Sequence, residues 1–158
     1  MLPVSTAGAA PISRLLILAL IALTLAVAVL AARLWAGRQV SRLRERPLWN
    51  ALGLAPDGQA LVVAFSTASC GVCKSAQKPA LRRLQTALSD IRVLEIDAGE
   101  RPEVAGAFGV VTVPTTVVFG RSGEVVAANH GFAPWKRLLA QIEGSATAPS
   151  SRGVAIRL

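Results

Sequence analysis

The sequence predicts an α/β domain, a mixed four-stranded sheet with flanking helices, preceded by one N-terminal transmembrane helix. Three observations carry this expectation. Between residues 60 and 143, short apolar runs alternate with stretches whose apolar residues recur at helical spacing. Leu15 to Ala32 carries no charge, and Thr24 is its only polar residue. The two cysteines, Cys70 and Cys73, stand where an apolar run gives way to a helical pattern.

Composition excludes several classes. The 158 residues hold one ordinary domain of about 100–150 residues. A hydrophobic content of 53% excludes intrinsic disorder. A single spanning stretch excludes a polytopic membrane protein. Two cysteines make no disulfide framework, and one histidine cannot complete a closed zinc site with them. The net charge of +8 is unevenly spread. Residues 1–46 carry six Arg against one Glu, whereas residues 47–143 carry nine Lys or Arg against eight Asp or Glu. A surplus beside an apolar stretch fits a membrane-anchored domain, not a basic nucleic-acid-binding surface.

As a helix, Leu15–Ala32 is about 27 Å long, close to the ~30 Å hydrocarbon core of a bilayer. Pro11–Ile12 and Leu34–Trp35 extend it, so residues 12–36 form the expected membrane contact. Arg14 and Arg33 bracket the stretch, and Trp35 lies at an interfacial position. A cleaved signal peptide, with Val29-Leu30-Ala31 as its cleavage site, is the competing reading, but signal-peptide apolar regions usually run about 7–15 residues. The C-terminal flank carries Arg33, Arg38, Arg42, Arg44 and Arg46, against Arg14 on the other side. The positive-inside rule therefore favours a single-pass protein with its domain in the cytoplasm, the extracytoplasmic side being the alternative.

Residues 1–36 are read as the N-terminal segment and anchor, 37–59 as a basic neck, 60–143 as the domain and 144–158 as a loose tail. In the neck, Pro47 interrupts any continuing helix. Leu48, Trp49, Leu52 and Leu54 suit a short docking helix, and Pro56-Asp57-Gly58 a turn. Leu61–Phe65 is a continuous apolar run, hence a buried strand. Cys70–Leu88 reads as a helix with Cys73, Ala76, Ala80, Leu84, Ala87 and Leu88 on one face. Lys74, Lys78 and Arg82 form an exposed stripe. Ile91 to Asp97 is a second strand. Pro102 opens a short helix through Phe108, and Gly109 ends it. Thr115–Phe119 is a third strand, Ser122-Gly123 a turn and Glu124–Ala128 a fourth strand. Ala133–Ile142 is the last helix. The order β-α-β-α-β-β-α implies a mixed sheet covered by helices.

Cys70-Gly71-Val72-Cys73 carries the chemistry. Cysteines at i and i+3 on a first helical turn can close a disulfide with little backbone movement. The helix N-terminus offers unpaired N–H groups and the positive end of its dipole. Both favour a thiolate, the species that attacks a disulfide. Cys70, at the loop–helix junction, is the expected nucleophile; Cys73, one turn in on the apolar face, is the expected resolving thiol. A zinc site shared between two copies is the weaker alternative. A CxxC at a strand-to-helix junction reads as redox-active.

Residues 60–142 resemble a thioredoxin domain. The resemblance runs in order through Phe65, Cys70-Gly71-Val72-Cys73-Lys74, Ile96-Asp97, Phe108-Gly109-Val110, Val113-Pro114-Thr115, Gly123-Glu124-Val125 and Gly131. It implies a thioredoxin-like fold, a cis Pro114 facing the cysteines, and a substrate groove at Gly71, Val72, Val113, Pro114, Thr115 and Gly131. His130 and Lys74 are candidates to tune Cys70, with an exposed loop histidine and a solvated helix face as their bland readings. The departures are specific. Ala64 stands where the family usually has a buried carboxylate that accepts the proton of the second cysteine. Ser66 and Ser69 replace tryptophans, and Val72 replaces the intervening proline. Pro79 lies one residue farther from Cys73 than is usual. The family's first strand is not evident.

The expectation is a membrane-anchored thiol–disulfide oxidoreductase exchanging with protein thiols and disulfides, with a lean toward reduction. It has no cofactor beyond the Cys70–Cys73 disulfide and no metal. It is served by a reductase or a transmembrane electron donor. A tethered redox sensor and a non-catalytic scaffold are the alternatives.

Overall fold

A computed structural model describes residues 9–146. The expected tail therefore lies almost wholly outside the described residues. The chain divides between Arg38 and Gln39 into two compact units.

The first unit is the bulk of helix α1 (Ala9–Arg44). From Arg14 its apolar side chains stand exposed around the whole circumference, with a mean hydropathy of 3.0 in the most apolar window. This helix is long and apolar enough to cross a membrane; a signal sequence would pass the same test.

In the second unit, α2 (Leu48–Leu52) precedes β1 (Ala60–Ser66), a π-helical segment (Cys73–Gln77), α3 (Lys78–Ala87) and β2 (Ile91–Asp97). Then follow α4 (Pro102–Ala107), β3 (Thr115–Phe119), β4 (Val125–His130) and α5 (Trp135–Ala146). The sheet order is β2-β1-β3-β4. β1 pairs in parallel with β2 and antiparallel with β3, and β3 pairs antiparallel with β4. This is the mixed four-stranded sheet expected from the alternating pattern.

β1 is central and buried on both faces, which explains its unbroken apolar run. Its alternate residues divide the core. Leu61, Val63 and Phe65 pack with α2, α4 and Phe119. The Phe65 and Phe108 rings lie 5.1 Å apart, and those of Trp49 and Phe119 lie 5.0 Å apart. Ala60, Val62 and Ala64 face the other way, into a core with Leu81 and Leu84 of α3 and Leu138 and Ile142 of α5. Short alanines there let the helices approach the sheet. In the β3–β4 turn, Gly123 has φ +83°, and a Cβ would come within 2.8 Å of Pro56. Both facts require glycine at this position.

Three expectations are corrected, and the basic neck is found to contact the domain beyond its docking helix. Leu43 is buried, Arg44 Nε donates to the Val125 carbonyl (2.7 Å) and Arg46 Nη1 to that of Ala107 (2.8 Å). The helix after Cys73 opens with a π-helical segment. The expected face is buried at Cys73, Ala80 and Leu84 and partly buried at Ala76 and Leu88, whereas Ala87 is exposed and Gln77 joins the buried side. β4 ends at His130 instead of Ala128, because Asn129 and His130 continue the pairing opposite Thr116 and Thr115. α5 begins after Pro134 and runs to Ala146.

Candidate active site

β1 ends at Ser66, and a tight turn closed by Cys70 N–H to Thr67 O (3.1 Å) delivers Cys70 to the mouth of the next helix. The backbone is helical from Gly71 onward. Cys70 and Cys73 are joined in a disulfide, with their Cα atoms 5.3 Å apart. Cys70 is half-buried, whereas Cys73 is 6% exposed. The Cys73 backbone N–H, one of the orphan donors of a helix N-terminus, donates to Cys70 Sγ at 3.1 Å. The two sulfurs are thus inequivalent in the direction the sequence suggested. One is reachable and receives a hydrogen bond that would favour negative charge; the other is enclosed.

The Val113–Pro114 peptide is cis. The Pro114 carbonyl accepts from Gly131 N–H at 2.7 Å, which ties the end of β4 to the loop before β3. Gly131 reaches this position with φ +84°, in the left-handed region that glycine enters without strain. Thr115 is buried, and its hydroxyl donates to the Thr112 carbonyl at 2.7 Å. Val113 is partly buried against the Phe65 core.

The loop after Gly131 is fastened to the cysteine helix. Gln77 Nε2 donates to Ala133 O at 3.2 Å, and Ala133 N–H donates to Gln77 Oε1 at 2.9 Å. Cys73, Gln77, Ala133, Gly131 and Pro114 are linked in this way through one helix segment and two loop contacts. Gln77 lies four residues after Cys73 and three before Ala80, on the apolar face by helical spacing, but a polar side chain gives no apolar signal there. That spacing was the available signal for Gln77, and the displaced Pro79 that for the π-helical segment. One additional residue in a helix is commonly accommodated as a π-bulge, a form frequent at functional sites.

The tuning candidates fare differently. Lys74 is exposed on the helix. His130 lies across the β3–β4 ladder from Thr115, with Nδ1 3.4 Å from Thr115 Oγ1 and Nε2 beside Gln39 Oε1. It joins the first residue of the second unit to the strand next to Pro114, and is a strand-end residue, not a loop residue. Val72 is 51% exposed, as expected for its place between the cysteines. Two further exposed apolar residues, Val111 at 95% and Phe132 at 45%, were not singled out by periodicity. They sit in the loops before Pro114 and after Gly131. Their signal was large apolar side chains in segments that belong to no strand or helix.

A shallow recess lies on the α3 side of the sheet, lined by Ala64, Cys73, Gln77, Lys78 and Glu95 among others. Ala64 therefore sits beside the buried cysteine, as the strand alignment required. Away from this site, the Gln59 N–H and then the nearby Arg92 guanidinium hold the Asp57 carboxyl below its ordinary value.

The family model for thioredoxin matches residues 52–144. Thioredoxin of Bacillus subtilis is 39% identical over 70 residues, covering 44% of this chain and 65% of that protein. Thioredoxin of Rhodospirillum rubrum is 36% identical over 77 residues, covering 48% of this chain and 72% of the relative. The chain thus spans a little under two thirds of the first relative's length. Among solved structures, oxidised mitochondrial thioredoxin 3 of Saccharomyces cerevisiae superposes with TM-score 0.50 at 29% identity, over 56% of this chain and 81% of that one. With a family match over more than half of its length, and a mixed sheet leading into a disulfide-bonded Cys-Gly-Val-Cys turn, this chain belongs to the thioredoxin family.

Proposed function

We propose that this protein is a membrane-tethered thiol–disulfide oxidoreductase that reduces disulfides in protein substrates. The observation that carries the reading is the asymmetry of the cysteine pair. Cys70 is accessible and accepts a helix N-terminal hydrogen bond at 3.1 Å, while Cys73 is enclosed one turn away.

In the reduced protein, the Cys70 thiolate attacks one sulfur of a substrate disulfide. The substrate S–S bond breaks, and one substrate thiolate leaves and takes up a proton. Cys73 then loses its proton and attacks Cys70 Sγ. The mixed disulfide breaks, the Cys70–Cys73 bond forms, and the second substrate thiol departs. Two electrons pass from the protein to the substrate. The resulting disulfide must be reduced again by a soluble reductase or a transmembrane electron donor. Val72, Val111 and Phe132 would offer apolar contact to a substrate segment approaching past Pro114, and Val113, Thr115 and Gly131 would form the floor of that groove.

The apolar helix supports tethering, and the arginines after it favour a cytoplasmic domain. The decisive experiment is insulin-disulfide reduction by the full chain in detergent, with dithiothreitol as electron source. Wild type should accelerate the reaction and Cys70→Ser should abolish the acceleration. An unaffected Cys70→Ser variant would instead favour a scaffold with an idle disulfide.

A further inference from the structure

Resolution of the mixed disulfide requires a base for Cys73, a thiol that is 6% exposed. Burial in apolar surroundings raises a thiol's pKa and so opposes its ionisation. The β1 residue beside it, Ala64, carries no group able to accept a proton. The neighbouring strand does carry one. In the parallel β1–β2 ladder, Ala64 is the direct partner of Glu95. Strand alternation puts Glu95 on the same face as Ile91 and Val93, which pack in the core shared by Ala60, Val62, Ala64 and α3. Glu95 thus emerges on the α3 side of the sheet, next to Ala64, and both line the recess that Cys73 also lines. Its carboxylate is held by Lys78 Nζ at 3.3 Å, and Lys78 lines the recess as well.

From this placement we infer that Glu95 is the proton acceptor for Cys73, positioned by Lys78, a role moved one strand outward from the β1 site. The inference rests on the oxidoreductase reading above. The Cys73 S–H proton passes to the Glu95 carboxylate, directly or through one water in the recess, as the sulfur attacks Cys70 Sγ. The mixed S–S bond breaks, the Cys70–Cys73 bond forms and the substrate leaves as a thiolate. A thiol is a weaker acid than a carboxylic acid, so the transfer must accompany the attack. Glu95 is half-exposed, with 45% of its side chain accessible, and can pass the proton on to solvent. No other charged side chain competes for this role within the recess. Among the described residues, Lys78 is the only other charged group lining it, β1 contributes only Ala64, Phe65 and Ser66, and the Gln77 amide is bonded at both ends to Ala133.

Stopped-flow kinetics on the full chain in detergent test this with an aromatic disulfide whose two thiols are released in separate phases. The first phase reports attack by Cys70 and the second resolution by Cys73. Glu95→Gln preserves size and a hydrogen bond to Lys78. It should slow the second phase about tenfold at pH 7, below the usual span of general-base effects because water competes. The deficit should vanish at alkaline pH, where Cys73 ionises unaided, and the first phase should be unchanged. Adding Ala64→Asp to Glu95→Gln should restore the second phase at pH 7. A second phase within twofold of wild type at pH 7, or equal slowing of both phases, would overturn the role of Glu95. A wild-type protein showing no first phase would instead overturn the oxidoreductase reading itself, and this inference with it.

Discussion

Gln77 is a neutral side chain buried to 3% exposure, and it occupies both hydrogen-bonding groups of Ala133. Replacing it with Ala would strand a buried backbone N–H and carbonyl. Each such loss costs about 1–3 kcal/mol. We expect Gln77→Ala to lower the unfolding free energy by roughly that amount for the pair, relaxation and water recovering the remainder. Chemical denaturation of the full chain in detergent, followed by tryptophan fluorescence, checks this. An unchanged midpoint would mean that the loop does not depend on Gln77. Ala64 makes a second test. Ala64→Asp places a carboxyl beside Cys73 and Glu95, where burial and like charge both raise its pKa. A carboxyl whose folded value lies above its unfolded value of about 3.9 penalises folding increasingly as pH rises past that unfolded value. The variant should therefore differ least from wild type at pH 4 and most at pH 8, when each is compared with wild type at the same pH. A pH-independent difference would show that the new carboxyl points away from the recess. The cysteine pair and its unequal burial, the cis Pro114 and the place of Ala64 were legible because short motifs carry them. Glu95 was not, because alternation gives it a face but only the β1–β2 register gives it a neighbour.

At the level of elements, β1, β2 and β3 follow the sequence pattern almost to the residue, where apolar runs are bounded by turn residues. The departures lie where tertiary contacts overrule local pattern. β4 extends to His130 because Thr115 and Thr116 offer it partners, and Asn129 is held by Thr116 and Gln141. Gln77 is buried on an otherwise apolar helical face because Ala133 offers its amide two partners. The arginine run after the apolar helix looks uniform in sequence, yet Arg44 and Arg46, exposed like Arg42, bond to backbone carbonyls of the domain. A charged side chain bonded to a partly buried carbonyl is worth about 1.5–3 kcal/mol. Arg44→Ala should accordingly lower the thermal midpoint of the full chain by several degrees, and Arg42→Ala should leave it nearly unchanged. Equal effects of the two substitutions would mean that net charge, not the Val125 contact, sets the contribution of this segment.

For the whole molecule, an apolar helix and a thioredoxin-family domain lie on one chain, the arrangement that motivates the proposed tethering at a membrane surface. The arginine flank predicts that Cys70 in intact cells resists a membrane-impermeant thiol reagent after mild reduction and reacts once the membrane is permeabilised. Labelling before permeabilisation would place the domain outside and make a transmembrane donor the source of electrons. The division of labour between the two sulfurs underlies the proposed reaction, since groove and proton acceptor matter only if one cysteine attacks and the other resolves. It is tested most directly by treating the reduced full chain briefly with limiting iodoacetamide near neutral pH and locating the label by mass spectrometry. The account predicts carbamidomethylation at Cys70 at least about tenfold faster than at Cys73, in keeping with thiolate formation at a helix N-terminus. Equal labelling of the two, or labelling chiefly at Cys73, would contradict it.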